Sequence, residues 1–186
     1  SHRPPGTTAI LFHKKARELG RMLDAMPAAR DVRVREADAS VVGPPPGTGL
    51  VLTSPPYPGV YDYLPMQQLR YAWLGITPRE SSLIAELGSR RSFRARGRTD
   101  AFRMWREDTA RWIRVQAAAL PAGARMAVNV GDGLVAGRLV DALAPTMEAL
   151  RAAGLVVVAR ASADRPDHAR DSVRVEHIAL AEKPGA

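Results

Sequence analysis

Apolar residues recur along this chain first at helical and then at strand intervals. From Thr8 to about Met26, Ile10, Leu11, Leu19, Leu23 and Met26 keep a rough helical stripe, with Thr7 or Thr8 as a candidate cap. Val32 and Val34 then alternate with Arg33 and Arg35, which predicts a strand from Asp31 to Ala37. Val41 to Gly49, with three prolines and three glycines, reads as a loop. Leu50-Val51-Leu52 is a short apolar run of the kind a buried parallel strand shows, ending at Thr53.

Met66, Leu69 and Trp73 share a face of a predicted helix over Met66 to Leu74, stopped by Gly75 and Pro78. A longer helix starts near Asp100, a candidate N-cap, with Phe102, Trp105, Thr109, Trp112 and Gln116 at helical spacing, and breaks at Pro121-Ala122-Gly123. Arg125 to Val130 is a strand ending at Gly131-Asp132-Gly133. Leu139, Leu143, Met147 and Leu150 form another helical stripe, stopped at Gly154. Leu155 to Ala161 and Val173 to Ala181 are the last strands, joined by polar Asp164 to Asp171 and so expected to be antiparallel. The three tryptophans, Trp73, Trp105 and Trp112, are expected in the core. Helices alternating with short apolar strands imply an α/β sandwich with a mostly parallel sheet, in one domain over residues 1–186.

Composition narrows the chemistry. No apolar run approaches the roughly 20 residues that span a bilayer, and no secretory leader is evident, so a cytoplasmic protein is expected. The chain has no cysteine, which removes disulfides and thiolate zinc sites. His13, His168 and His177 have no ligand spacing, so no metal is expected. The net charge is +8, supplied mainly by arginine. Arginine suits phosphate, because its guanidinium fork binds bidentately. A GC-rich coding bias gives the same composition, so clustering matters more than the total. The densest cluster is Arg90, Arg91, Arg94, Arg96, Arg98, Arg103 and Arg106. It reads as a basic loop, in an insertion over about 76–100, that contacts nucleic-acid phosphates; a solvated surface loop is the alternative.

Thr53-Ser54-Pro55-Pro56-Tyr57 is the most informative stretch. Two prolines in a row fix φ and remove two donors, so the chain leaves the sheet there. Their carbonyls are free to face a cleft, a hydroxyl precedes them and an aromatic ring follows. That set suits a planar group bearing an amine. The motif resembles that of the amino-group DNA methyltransferases, in the Ser-Pro-Pro-Tyr form of the cytosine-N4 branch. Pro58-Gly59-Val60-Tyr61-Asp62-Tyr63, the helix-like Gln67 to Gly75, and Glu86-Leu87-Gly88-Ser89-Arg90-Arg91 extend the likeness, which covers roughly residues 30–183.

The resemblance implies a Rossmann-like class I methyltransferase fold: a three-layer sandwich whose mostly parallel sheet ends in an antiparallel strand. It implies S-adenosylmethionine as cofactor and DNA as substrate, with Ser54, Pro55, Pro56 and Tyr57 as the catalytic set. Asp38, Thr53 and Asp132 are the candidate cofactor residues; Asp38 and Asp132 also read as ordinary turn aspartates. Arg90, Arg91, Arg94, Arg96 and Arg98 are the candidate nucleic-acid contacts. The implied chemistry is direct displacement: Ser54 Oγ and the Pro55 carbonyl draw on the amine hydrogens, and Tyr57 stacks on a base taken out of the duplex. Tyr61 and Tyr63 either wall that pocket or pack in the core.

The pattern lacks a glycine-rich cofactor loop after a first strand, and the sheet lacks two central strands. Four arrangements meet the gap: a chain truncated at its N-terminus, which is preferred, a half carried on a second subunit, a rearranged N-terminal segment, or a degenerate relative. This chain alone is therefore expected to bind the cofactor weakly. The rival functions are amine methylation of RNA or protein, and a nucleic-acid-binding module whose cofactor site is lost.

Overall fold

The computed structural model describes residues 6–27, 32–77, 86–167 and 172–185. Asp31, Pro78 and His168 lie outside the described residues. The chain divides into two compact units, Ser1–Glu36 and Ala37–Ala186.

The first unit holds helix α1, Thr7–Asp24. Its N-cap is Gly6 in the left-handed region, with no side-chain cap bond, so neither Thr7 nor Thr8 caps it. None of its residues is buried. Val32 and Val34 are exposed at 79 % and 93 %, and no strand forms over the described residues 32–37. Alternation gives a strand only where a neighbour takes up its backbone groups, and no ladder among the described residues reaches this segment.

In the second unit the elements run β1 (Leu50–Thr53), α2 (Tyr63–Leu74), α3 (Arg90–Arg96), α4 (Arg98–Ala118), β2 (Arg125–Gly131), β3 (Gly133–Val135), β4 (Arg138–Val140), α5 (Leu143–Ala152), β5 (Val156–Asp167) and β6 (Ser172–Glu182). Four strands form a mixed sheet in the order β1-β2-β6-β5. β1 and β2 are parallel, with Leu52 opposite Ala127, while β6 is antiparallel to both β2 and β5. The antiparallel end of the sheet is as the sequence predicts. β3 and β4 form a separate hairpin just after Asp132, in place of the simple turn expected there.

Alternation decides which strand residues are covered. Met126, Val128 and Val130 of β2 face the same way as Ala179 and Ala181 of β6, and all five are buried. They share one cluster with Trp105, Trp112, Ile113 and Ala117 of α4 and Leu150 of α5. The opposite sheet face leaves Leu50, Leu52 and Ile178 exposed at 54, 71 and 41 %. β1 is paired on one side only among the described residues.

Trp105 and Trp112 are core residues as expected, but Trp73 is 84 % exposed. The half-buried face of α2 carries Leu64, Gln67 and Tyr71, while Met66, Leu69 and Trp73 point to solvent. The apolar stripe and the covered stripe of this helix are different faces. Gly75 ends α2 at φ 65, a left-handed position that glycine takes without steric cost.

Candidate active site

Strand β1 delivers the Ser-Pro-Pro-Tyr motif at its carboxyl end, where ligands of parallel α/β sheets bind. The chain leaves the sheet at Ser54, and Tyr57 to Val60 turn into the core. Three close approaches fix that turn. A Cβ on Gly131 would lie 2.6 Å from the Tyr57 ring, and one on Gly133 only 1.9 Å from the Pro58 carbonyl oxygen. Gly59 donates its N–H to Gly88 O at 2.8 Å. Trp105 Nε1 donates to Pro56 O at 3.0 Å, so one lone pair of that proline carbonyl is taken by the core.

Beside the motif lies a cleft of about 520 Å³ lined by Asp38, Ser40, Thr53, Ser54, Pro55, Pro56, Asp108, Arg111 and Trp112, among others. Asp38 is thus brought to one cavity with Thr53 and Ser54, which are distant from it in sequence. The Asp38 turn is held from α4: Gln116 Nε2 donates to Ala39 O at 2.7 Å and to Val42 O at 2.8 Å. Asp38 Oδ1 accepts from the Ser40 N–H at 2.8 Å and the Ser40 hydroxyl at 2.7 Å. These bonds, the backbone one first, hold its carboxyl below the usual aspartate range. The cleft therefore offers an ionised acceptor on one wall. On another, Trp112 is 7 % exposed, and its Nε1 is a buried donor with no partner among the described residues. The Asp38 acceptor in the cleft fits a cofactor bearing an amine.

Tyr57 closes the other side of the motif. It is 8 % exposed, with its ring on Gly131. Its hydroxyl lies 3.1 Å from Asn129 Nδ2, 3.2 Å from Glu176 Oε1 and 3.4 Å from Ser54 Oγ. Burial pushes the phenol pKa up; the Ser54 hydroxyl counters this and the Glu176 carboxylate adds to it. Glu176 is also ion-paired to Arg165. Tyr61 and Tyr63 continue the row, with ring centroids 6.5 Å from Tyr57 to Tyr61 and 5.3 Å from Tyr61 to Tyr63. Asn129, Arg165 and Glu176 were not candidates from sequence. Glu176 bonds Tyr57 across 119 residues, and no local spacing announces such a contact.

Asp132 does not line the cleft. It is 6 % exposed, its Oδ1 accepts the Ala142 N–H at 2.9 Å, and His177 Nε2 lies 3.3 Å away. His177 Nδ1 is 2.8 Å from Ser162 Oγ. The arginine cluster is not the loop expected. Arg90, Arg91, Arg94 and Arg96 lie on α3, N-capped by Ser89, and Arg98 opens α4. Arg90 donates to Val60 O at 2.6 Å, and Arg91 pairs with Glu86 at 3.1 Å and Asp62 at 3.7 Å. These two brace the turn that follows the motif. Arg94, Arg96 and Arg98 are exposed, with no partner among the described residues. No group of three or more metal-ligating side chains occurs among the described residues. None of the described helices is long and apolar enough to cross a membrane.

No protein-family model and no curated protein matches the chain. Solved structures do. One is of a candidate DNA modification methylase from Thermus thermophilus, at 19 % identity and TM-score 0.50, covering 81 % of this chain and 53 % of that one. Another is of the same protein complexed with S-adenosyl-L-methionine, at 20 % identity and TM-score 0.49, covering 80 % and 52 %. The chain thus spans about half the length of the structures it matches. At this identity the likeness establishes a shared α/β fold with the methylase.

Proposed function

We propose that this chain forms the target-amine half of a DNA methyltransferase that transfers a methyl group from S-adenosyl-L-methionine to an exocyclic base nitrogen, cytosine N4 in first place. The carrying observation is the position of Ser54: it lines the Asp38 cleft and also neighbours the Tyr57 hydroxyl. A cofactor on one side and a base amine on the other would meet at that hydroxyl. The fold shared with a candidate DNA modification methylase agrees with this reading.

Each residue has a role drawn from its chemistry. Asp38 would accept the cofactor's amino hydrogens. The bound cofactor supplies a methyl group on a positively charged sulfur. Ser54 Oγ would accept a hydrogen of the target amine, whose lone pair is otherwise delocalised into the base. Tyr61 and Tyr63 would wall the base, with Tyr57 behind them. Arg94, Arg96 and Arg98 would contact phosphate, whereas Arg90 and Arg91 are committed to the fold. The edge of β1 that has no partner among the described residues would be covered by further chain, from the same polypeptide or a second subunit.

The test is the natural protein that carries this chain, incubated with labelled S-adenosyl-L-methionine and mixed-sequence duplex DNA, followed by mass spectrometry of the nucleosides. N4-methylcytosine is the expected product. N6-methyladenine would move the target but keep the reaction class. Methylated RNA or protein with unmodified DNA would replace the reading, and DNA binding with no transfer to any substrate would leave a binding module.

A further inference from the structure

The hydrogen-bond polarity around Tyr57 is set by chemistry. A phenol carries one hydrogen and accepts two. Asn129 Nδ2 only donates, so it occupies one lone pair of the Tyr57 oxygen. An ionised Glu176 only accepts, so the Tyr57 hydrogen points to it. Ser54 Oγ, 3.4 Å from the same phenol oxygen, then stands as the second donor. That orientation leaves a Ser54 lone pair for a ligand in the cleft. The bond is long for two hydroxyls and would shorten when a ligand hydrogen is drawn to Ser54.

We propose that Ser54, Tyr57 and Glu176 form a proton-exit path from the cleft to solvent. The inference rests on the methyl-transfer reading above. When the amine lone pair forms its bond to the methyl carbon, the carbon–sulfur bond breaks and its electron pair stays on sulfur. The nitrogen is left cationic and must shed one hydrogen as a proton. That proton passes to Ser54 Oγ, the Ser54 proton to Tyr57 Oη, and the Tyr57 proton to Glu176 Oε1. Both hydroxyls are restored, and Glu176 ends as a neutral acid. Its side chain is 28 % exposed, so it returns the proton to water.

The charged and titratable groups facing this path are Arg165 on β5, Glu176 on β6, and Tyr61 and Tyr63 after the motif, with Glu86 beside Tyr63. Arg165 is ion-paired to Glu176 at the end of the path. Ser54 is the one member that touches substrate; Tyr57 and Glu176 act through it.

Glu176→Gln in the natural protein tests this, because glutamine keeps the acceptor oxygen and cannot take up a proton. The first readout is ultraviolet titration of the tyrosines, with the Tyr57 step identified by difference from Tyr57→Phe. That step is expected to fall when the negative neighbour is removed. An unmoved step overturns the hydrogen-bond chain. The second is single-turnover methyl transfer against pH. E176Q is expected to be slower by about a hundredfold at unchanged DNA affinity, with Glu176→Asp recovering part of the rate. A parent-like rate and pH profile in E176Q overturns the path while leaving methyl transfer intact. No methylated product from the parent on any substrate removes the reaction, and the path with it.

Discussion

Trp105, in the middle of α4, donates its indole N–H to the carbonyl of Pro56 at 3.0 Å. The same ring blocks any side chain at Gly88, where a Cβ would lie 2.8 Å from it. One buried aromatic residue thus joins the helix, the motif and the segment that carries Arg90. Trp105→Phe keeps most of the apolar volume and removes the donor. It should lower unfolding stability by about 1–2 kcal/mol through the unpaired carbonyl, read as a lower urea midpoint at constant slope. An unchanged midpoint would show that the bond is replaced by water at no cost.

The two glycines of β2 and β3 face the motif without room for a methyl. Gly131→Ala meets the Tyr57 ring, and Gly133→Ala meets backbone at Pro58. Both should destabilise, by roughly 1–3 kcal/mol for Gly131→Ala, and Gly133→Ala more, because the backbone yields less than a ring edge. Reversal of that order in thermal melts would mean that the Pro58 turn can shift.

Two apolar residues on neighbouring strands should respond to very different extents. Met126 is fully buried in the α4-facing cluster, whereas Leu52 is 71 % exposed on the other sheet face. Met126→Ala should cost about 2–5 kcal/mol, and Leu52→Gln within about 0.5 kcal/mol. A large loss from Leu52→Gln, measured by denaturant titration, would indicate that further chain covers β1 in solution.

The arginines should separate into two groups. Arg94, Arg96 and Arg98 to alanine should leave the melting temperature unchanged. The triple variant should weaken DNA binding for all sequences alike and flatten its log–log salt dependence by roughly 0.9 for each phosphate no longer neutralised. Arg91→Ala should instead loosen the turn at Asp62 and Glu86, read as a lower melting temperature. An unchanged salt slope in the triple variant would place the DNA path elsewhere.

Asp38 gives a pH signature. Its carboxyl is held low by the Ser40 N–H and hydroxyl. A group depressed on folding contributes stability above its unfolded pKa and loses it as pH falls through the folded one. Being exposed, Asp38 contributes little to stability, so the test is its own carbon-13 titration. The midpoint should lie below that of an ordinary aspartate and rise part of the way back in Ser40→Ala, since the backbone bond persists. An ordinary midpoint in the parent would remove the turn as the source of a preformed acceptor.

Local rules decided much of this protein. Period and breakers found α4, β2, α5 and the two closing strands but not all their bounds: Gly97 rather than Asp100 precedes α4, Leu139 belongs to β4 and not to the helix, and β5 runs on through Asp164 to Asp167. Two prolines after an apolar run sufficed to end β1 where a ligand site belongs. The same rules failed for Val32 and Val34, whose alternation has no ladder to join, and for Trp73, whose apolar face on α2 is not the covered one. They gave no sign of the contacts that Arg90 and Arg91 make: charge density marks a basic surface, but the Val60 carbonyl and the Asp62 and Glu86 carboxylates that take these guanidiniums lie elsewhere in the chain. The cleft was half legible: Thr53 and Ser54 stand at the end of β1, whereas Asp38 reaches the same cavity from a segment that forms no strand. The Tyr57 hub was not. Glu176 stands opposite Gly131 only through the register of β2 with β6, and that register is set by burial of Val130 and Ala179 in one core. Residue type determines which chemistry each position carries; long-range packing alone decides which hydroxyl that chemistry meets.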